Sequence, residues 1–222
     1  MEKVTIYTGW GGENYAADYV NRLYRACKRN MTMPFDFVLL CGPSADAHSL
    51  DRGIEIIETG LPFWWSGMVF WSPDIVGRRL FLDLDVVVVG SLDALFSVDS
   101  DFCCSRDWAS HNAPIGGERD ANPGVTLLKG NAGRWVWDEY VNAGKPTWNP
   151  MDKSVDHSPC HLAAQGIINN RGGVDLFPQD LCASYKFTAQ RRGVPEGCAT
   201  VHFHGRPKPH EVNHGWVVEN WR

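Results

Sequence analysis

The sequence predicts an α/β protein built on a doubly wound sheet. Three observations carry that prediction. Phe35-Asp36-Phe37-Val38-Leu39-Leu40-Cys41 and Arg79-Leu80-Phe81-Leu82-Asp83-Leu84-Asp85-Val86-Val87-Val88-Val89 are largely apolar runs, as strands buried on both faces are. A strand-like start at Lys3 to Thr8 passes through the glycine turn Gly9-Trp10-Gly11-Gly12 into a helical pattern, the opening of a βαβ unit. Three such β units with crossovers fill the first half of the chain.

In order, the helix after the glycine turn is expected from Glu13 to Arg29, because Tyr15, Ala16, Tyr19, Val20, Leu23, Tyr24 and Cys27 recur at helical spacing. Phe35 to Cys41 is the second strand, closed by Gly42-Pro43, and Ile54 to Glu58 the third, nearer an edge. Trp64 to Ser72 reads as a helix stopped by Pro73. The aspartate-bearing strand follows, and Ser91 to Phe96 reads as a short capped helix. The second half is less regular: strands at Asp101 to Ser105 and Gly124 to Lys129, and helices at Asn131 to Val141 and Cys160 to Asn169. Short strands follow at Val174 to Phe177, Ala183 to Phe187 and Ala199 to His204. The polar, glycine-rich stretch from Trp108 to Pro123 and the proline-rich one from Lys145 to Pro159 are loops, the first of a kind that carries function.

At 222 residues, one domain spanning 1–222 is expected. A net charge of -5 argues against non-specific binding to nucleic acid. No apolar stretch is long enough to span a bilayer, and Met1-Glu2-Lys3-Val4 runs straight into a strand, so a cytoplasmic location is expected. Seven cysteines without C-x-x-C spacing fit reduced, mostly buried thiols. Most of the ten tryptophans are expected in the core.

Two constellations point to chemistry. Asp83 and Asp85 lie in an apolar run, at i and i+2, so on an extended chain they share a side. Ionised carboxylates there are costly without a partner, and a hard divalent cation would repay the cost. Pattern alone leaves a second reading open: a strand ending at Leu82 with both aspartates solvated in a turn. The other D-x-D, Asp99-Ser100-Asp101, follows no apolar strand and reads as solvated loop. Near the end, Val201-His202-Phe203-His204-Gly205-Arg206-Pro207-Lys208-Pro209 puts two histidines on one face, followed by glycine and cations suited to phosphate oxygens. The alternative is a polar edge strand. The glycine turn fails the G-x-G-x-x-G spacing of a dinucleotide fingerprint, since Asn14 stands where its third glycine would be.

Taken in order, Y-T-x-x-x-x-N-Y, L-F-L-D-L-D-V-V-V-V-G-S-L-D-A-L-F, N-P-G-V-T-L-L-K, A-A-Q-G-I-I-N and V-H-F-H-G-R-P-K-P resemble the GT-A glycosyltransferases of family 8, the glycogenin and bacterial lipopolysaccharide galactosyltransferase type. The resemblance runs from about Val4 to Pro209 and implies a Rossmann-like GT-A fold, a single mixed sheet flanked by helices. It implies a metal-dependent hexosyltransferase that moves a sugar from a nucleotide-diphosphate sugar, of the UDP type, to a hydroxyl acceptor with retention. The acceptor would be a glycan, a lipid-linked glycan or a glycoprotein. Asp83, Asp85 and His202 would hold Mn2+ (or Mg2+), with Asp85 essential to catalysis. Gly205 and Lys208 would grip the diphosphate, while Thr8, Asn14 and Tyr15 cradle the uridine. Asn122 and Gly124 would lie near the donor sugar, and Gln165 close to the anomeric carbon.

Two positions depart from the family pattern. An aspartate usually precedes the glutamine, and here it is Ala164; a lysine usually stands where this chain has Gly67. Arg78 and Arg79 are the cations considered as replacements. The departures keep a non-catalytic nucleotide-sugar-binding protein in view. A haloacid-dehalogenase-like phosphatase is the other alternative, because Leu82-Asp83-Leu84-Asp85-Val86 fits its first motif locally. His210, His214, Trp216 and Trp221 either stack on an acceptor sugar or pin the tail to the core.

Overall fold

A computed structural model describes residues 3–12, 15–108, 121–147 and 163–222. The strands are β1 (Val4–Trp10), β2 (Phe35–Cys41), β3 (Ile54–Glu58), β4 (Arg79–Leu82), β5 (Val86–Val88), β6 (Phe102–Arg106), β7 (Ala121–Leu128), β8 (Asp175–Leu176), β9 (Cys182–Ser184) and β10 (Thr200–His202). The helices are α1 (Ala17–Asn30), α2 (Asp93–Phe96), α3 (Arg134–Asn142), α4 (Ala164–Arg171), α5 (Gln190–Arg192) and α6 (Gly215–Asn220). Seven strands form one mixed sheet in the order β3-β2-β1-β4-β7-β6-β8. Only β7 runs against the rest, pairing antiparallel with both β4 and β6. A second sheet of three strands has the order β5-β10-β9.

Alternation along the central strands builds two apolar layers. Ile6 and Leu39 face α1, whose Val20, Leu23 and Cys27 are buried in the same cluster. Tyr7, Val38 and Leu40 face the other way, toward Trp65, Phe70, Tyr140 and Ile167. Leu80, at 0% exposure, sits mid-sheet between β1 and β7. Leu80→Ala is expected to cost about 2–5 kcal/mol in urea unfolding, against less than about 0.5 kcal/mol for exposed Val76→Ala.

Several expectations need correction. The run from Arg79 to Val89 is not one strand. It leaves the main sheet after Leu82, turns through Asp83-Leu84-Asp85, where Val86 N–H donates to the Asp83 carbonyl (3.1 Å), and joins the second sheet. α1 begins at Ala17: the Trp10 indole N–H donates to the Tyr15 carbonyl (2.7 Å), and Ala16 is extended. Phe63–Trp71 is a 3-10 segment, not an α-helix, apolar all round and packed on β1. A Cβ on Gly9 would stand 3.0 Å from the Gly67 Cα, so the glycine turn serves this close backbone approach. The strand expected at Ala183 to Phe187 stops at Ser184, whose hydroxyl accepts from Phe187 N–H (3.2 Å) and starts a π-helical turn over Tyr185–Ala189. No side chain caps α2, so Ser91 does not do so. Most of the loops expected at Trp108 to Pro123 and Lys145 to Pro159, and the first residues of the helix expected from Cys160, lie outside the described residues.

The six described cysteines are free and buried, and burial pushes the Cys198 thiol up to about 11. The tail is pinned to the core: Trp221 packs edge-on to Tyr19 (4.8 Å between centroids), and Trp216 lies against Phe203 and Tyr185.

Candidate active site

The strand order reverses beside β1, with β2 and β3 on one flank and β4 on the other. In open α/β sheets this crevice, at the carboxyl ends of the strands, receives ligands. Tyr7 pairs with Phe81, so Thr8 and the Asp83 turn come together at that end. Asp83 N–H donates to the Gly124 carbonyl (2.8 Å), and Gly124 N–H donates to Asn122 Oδ1 (2.8 Å). A Cβ on Gly124 would lie 2.6 Å from Asp83 Oδ2 and 2.9 Å from Asn122 Oδ1, so only glycine leaves room for both side chains. Asp83 is exposed, but into a cleft of about 190 Å³ that Asn122 and Gln165 also line. Protein surrounds it elsewhere, and that desolvation, with the Asp85 charge, pushes its carboxyl well above the usual carboxylate range.

Asp85 lies on the second sheet's side. Phe203 N–H donates to its carbonyl (3.1 Å), and His202 pairs with Val86. One carboxylate oxygen, Oδ2, takes both the Tyr15 hydroxyl (3.1 Å) and the Lys208 ammonium (2.5 Å). The same ammonium stands 5.3 Å over the Tyr15 ring. Burial, with the Asp85 charge beside it, raises the Tyr15 phenol far above its ordinary range. Thus the final segment does meet the D-x-D, although more than a hundred residues separate them in sequence.

His202 is buried and packs its ring on Trp108 (4.9 Å), as does His204 (6.2 Å), so the two histidines do share a face. Burial pushes the His202 imidazole down to about 3, which keeps it neutral. Its Nε2 and the Thr8 hydroxyl are buried without a hydrogen-bond partner among the described residues. Two carboxylates and a neutral imidazole are a donor set that suits manganese or magnesium. They do not stand as a finished centre, however: among the described residues no three such side chains are grouped to hold an ion. The charge beside Asp85 is supplied by Lys208.

No protein-family model and no curated protein sequence matches the chain. Solved structures do. An active-site glutamine-to-glutamate variant of LgtC matches with a TM-score of 0.63 at 16% identity, over 98% of this chain and 94% of that one. Galactosyltransferase LgtC in complex with donor and acceptor sugar analogues gives 0.62 at 16% identity, over 94% and 89%. The glycosyltransferase GlyE of Streptococcus pneumoniae TIGR4 gives 0.63 at 15% identity, over 100% of this chain and 60% of its own. The chain has the GT-A fold. At this identity the likeness extends to the fold, and the chemistry rests on the side chains.

Within the GT-A fold the remaining site residues divide. Gln165, in the first turn of α4, donates from Nε2 to Asp107 Oδ2 (2.9 Å). Asp107 was missed from sequence, where the functional loop was begun at Trp108; its signal is a carboxylate one residue past the end of β6. Gly205 adopts φ 67, in the left-handed region that favours glycine. Arg206 is not brought to the site: it is exposed and pairs with Glu211. Asn14 lies outside the described residues. Neither cation suggested for position 67 reaches the cleft. Arg79 is buried at the opposite end of β4, donating to the carbonyls of Gly130 (2.7 Å) and Gly77 (3.2 Å), and Arg78 lies over Phe96. Asp99 and Asp101 are surface carboxylates near Lys129 (3.8 and 3.9 Å), as solvated loop predicts.

His202 gives the metal-free protein a testable pH response. Its folded pKa lies below its unfolded one, so its contribution is present above about pH 6.5 and lost as pH falls toward 3. Asp83, raised, acts in the opposite sense, lowering stability as pH rises through its own range. The difference between wild type and His202→Gln isolates the histidine. Melting temperatures between pH 7 and 4 should fall more steeply in wild type than in the variant.

Proposed function

We propose that this chain is a metal-dependent glycosyltransferase, transferring a hexose-type sugar from a UDP-sugar to a hydroxyl acceptor with retention of configuration. The observation that carries the reading is the Asp83-Leu84-Asp85 turn at the crevice, with Lys208 and His202 brought against it by β10. Asp83, Asp85 and, with side-chain adjustment, His202 would hold Mn2+ or Mg2+, which when bound supplies Lewis-acid charge to the leaving diphosphate. Lys208 leaves Asp85 and offers its ammonium to the phosphate oxygens, as charge develops there. The bond between the anomeric carbon and the phosphate oxygen breaks with its electron pair on the diphosphate. The acceptor oxygen bonds to that carbon, and its proton passes to the departing phosphate. Gln165, oriented by Asp107, and Asn122 flank the sugar; Gly124 leaves room for Asp83; Thr8 and Tyr15 lie toward the uridine, and Gly205 toward the phosphates.

The acceptor is a glycan, a lipid-linked glycan or a glycoprotein. Among the described residues no helix is long and apolar enough to cross a membrane. A non-catalytic sugar-nucleotide binder is the second reading, since Gly67 and Ala164 both line the cleft without a charge. The phosphatase reading falls with the fold. Incubation with UDP-sugars decides between the first two. A transferase should be stabilised against heat by its donor only with Mn2+, and should slowly release UDP. Stabilisation without any release would favour the binder, and no response to any nucleotide sugar would refute both.

A further inference from the structure

The cleft beside Asp83 is lined by two kinds of surface. Asp83, Asn122 and Gln165 present oxygen and nitrogen atoms. The 3-10 segment Phe63–Trp71 presents Trp64, Gly67, Met68 and Trp71, and Ala164 adjoins them from the first turn of α4. Among the described residues this second surface carries no charge and no side-chain acceptor. Its side chains are small at two positions, Gly67 and Ala164, and the Phe81 ring, which also lines the cleft, packs over Gly67, 3.2 Å from where a Cβ would stand. A sugar hydroxyl turned this way gives up water and meets no side-chain acceptor among the described residues, which is unfavourable. A methyl group turned this way is removed from water among apolar carbons, which is favourable.

Resting on the transferase reading above, we propose that this cleft holds the donor sugar and selects one that turns a methyl-terminated group toward Gly67, Met68 and Ala164. Two donor classes share that chemistry: a 2-acetamido-2-deoxyhexose, through its acetyl methyl, and a 6-deoxyhexose, through its C6 methyl. In the first, the amide N–H and carbonyl fall to Gln165 and Asn122. Unmodified hexoses are the disfavoured donors. A single apolar group in such a pocket discriminates by about 10- to 200-fold.

The test is titration calorimetry of the full chain with Mn2+ against UDP, UDP-glucose, UDP-N-acetylglucosamine and UDP-6-deoxyglucose, with the galacto-configured counterparts alongside. At least one methyl-bearing donor should bind about tenfold or more tightly than its unmodified parent, and which one does identifies the class. Parent hexoses binding as tightly as both modified forms, while UDP binds, would overturn the selectivity and leave the transferase reading standing. If neither UDP nor any UDP-sugar binds, the transferase reading fails and takes this proposal with it. Ala164→Asp places an acceptor in the apolar surface and should move the preference toward UDP-glucose by about tenfold. The wild-type comparison stands whether or not that variant folds.

Discussion

Asp85→Ala is expected to lower UDP-sugar turnover by about three orders of magnitude or more, while the melting temperature moves by only a few degrees. The two effects separate because opposing terms act on stability. Losing the carboxylate strands the Lys208 ammonium and the Tyr15 hydroxyl that share its Oδ2, at a cost of about 1–3 kcal/mol. It also removes the negative charge that helps raise the proton affinity of Asp83, which stabilises the fold. Activity has no such compensation, since the same carboxylate would help hold the ion that neutralises the leaving group. Turnover and thermal unfolding, measured on one preparation, test both halves. Wild-type turnover by the variant in excess chelator would end the metal-dependent mechanism.

Gly124→Ala should also be damaging, though it replaces no charged group. The new methyl would fall 2.6 Å from Asp83 Oδ2 and 2.9 Å from Asn122 Oδ1. The backbone cannot easily yield, because the Gly124 carbonyl accepts from Asp83 N–H and Val125 pairs with Leu82 inside the main sheet. Asp83 must therefore swing. Displacement of about 1 Å in such a site costs about a hundredfold in kcat, and overpacking of this kind destabilises by about 1–3 kcal/mol. Unchanged kcat in the alanine variant, with the fold intact by circular dichroism, would show that the position of Asp83 does not set the rate.

Much of the frame was legible because its signals are local. β2 and β3 follow from apolar β-prone runs bounded by turn residues, and α1 from its repeat of buried positions. What misled was an element whose conformation depends on its neighbours. Arg79 to Val89 has the composition of one long strand, yet the backbone leaves one sheet at Leu82 to enter another at Val86. The strand ends at Leu82 and the aspartates sit in a turn, as the second reading of the D-x-D had it, with Asp83 open to the cleft and Asp85 partly buried against Lys208. Asp107 went unseen because a single carboxylate after a strand has no periodicity to mark it.

The sequence by itself determined the α/β class, the strands β1 to β3 and the body of α1, since hydrophobic periodicity and turn residues act over a few neighbouring positions. Only the tertiary structure decided the partners. Lys208 reaches Asp85 across 123 positions because β10 pairs with β5. Arg206, two residues earlier, turns to Glu211 instead. Gly67 and Ala164 come to line one cleft from separate elements. Those outcomes depend on strand order and on which charges are shielded from water together, and neither quantity is written in any local stretch of the chain.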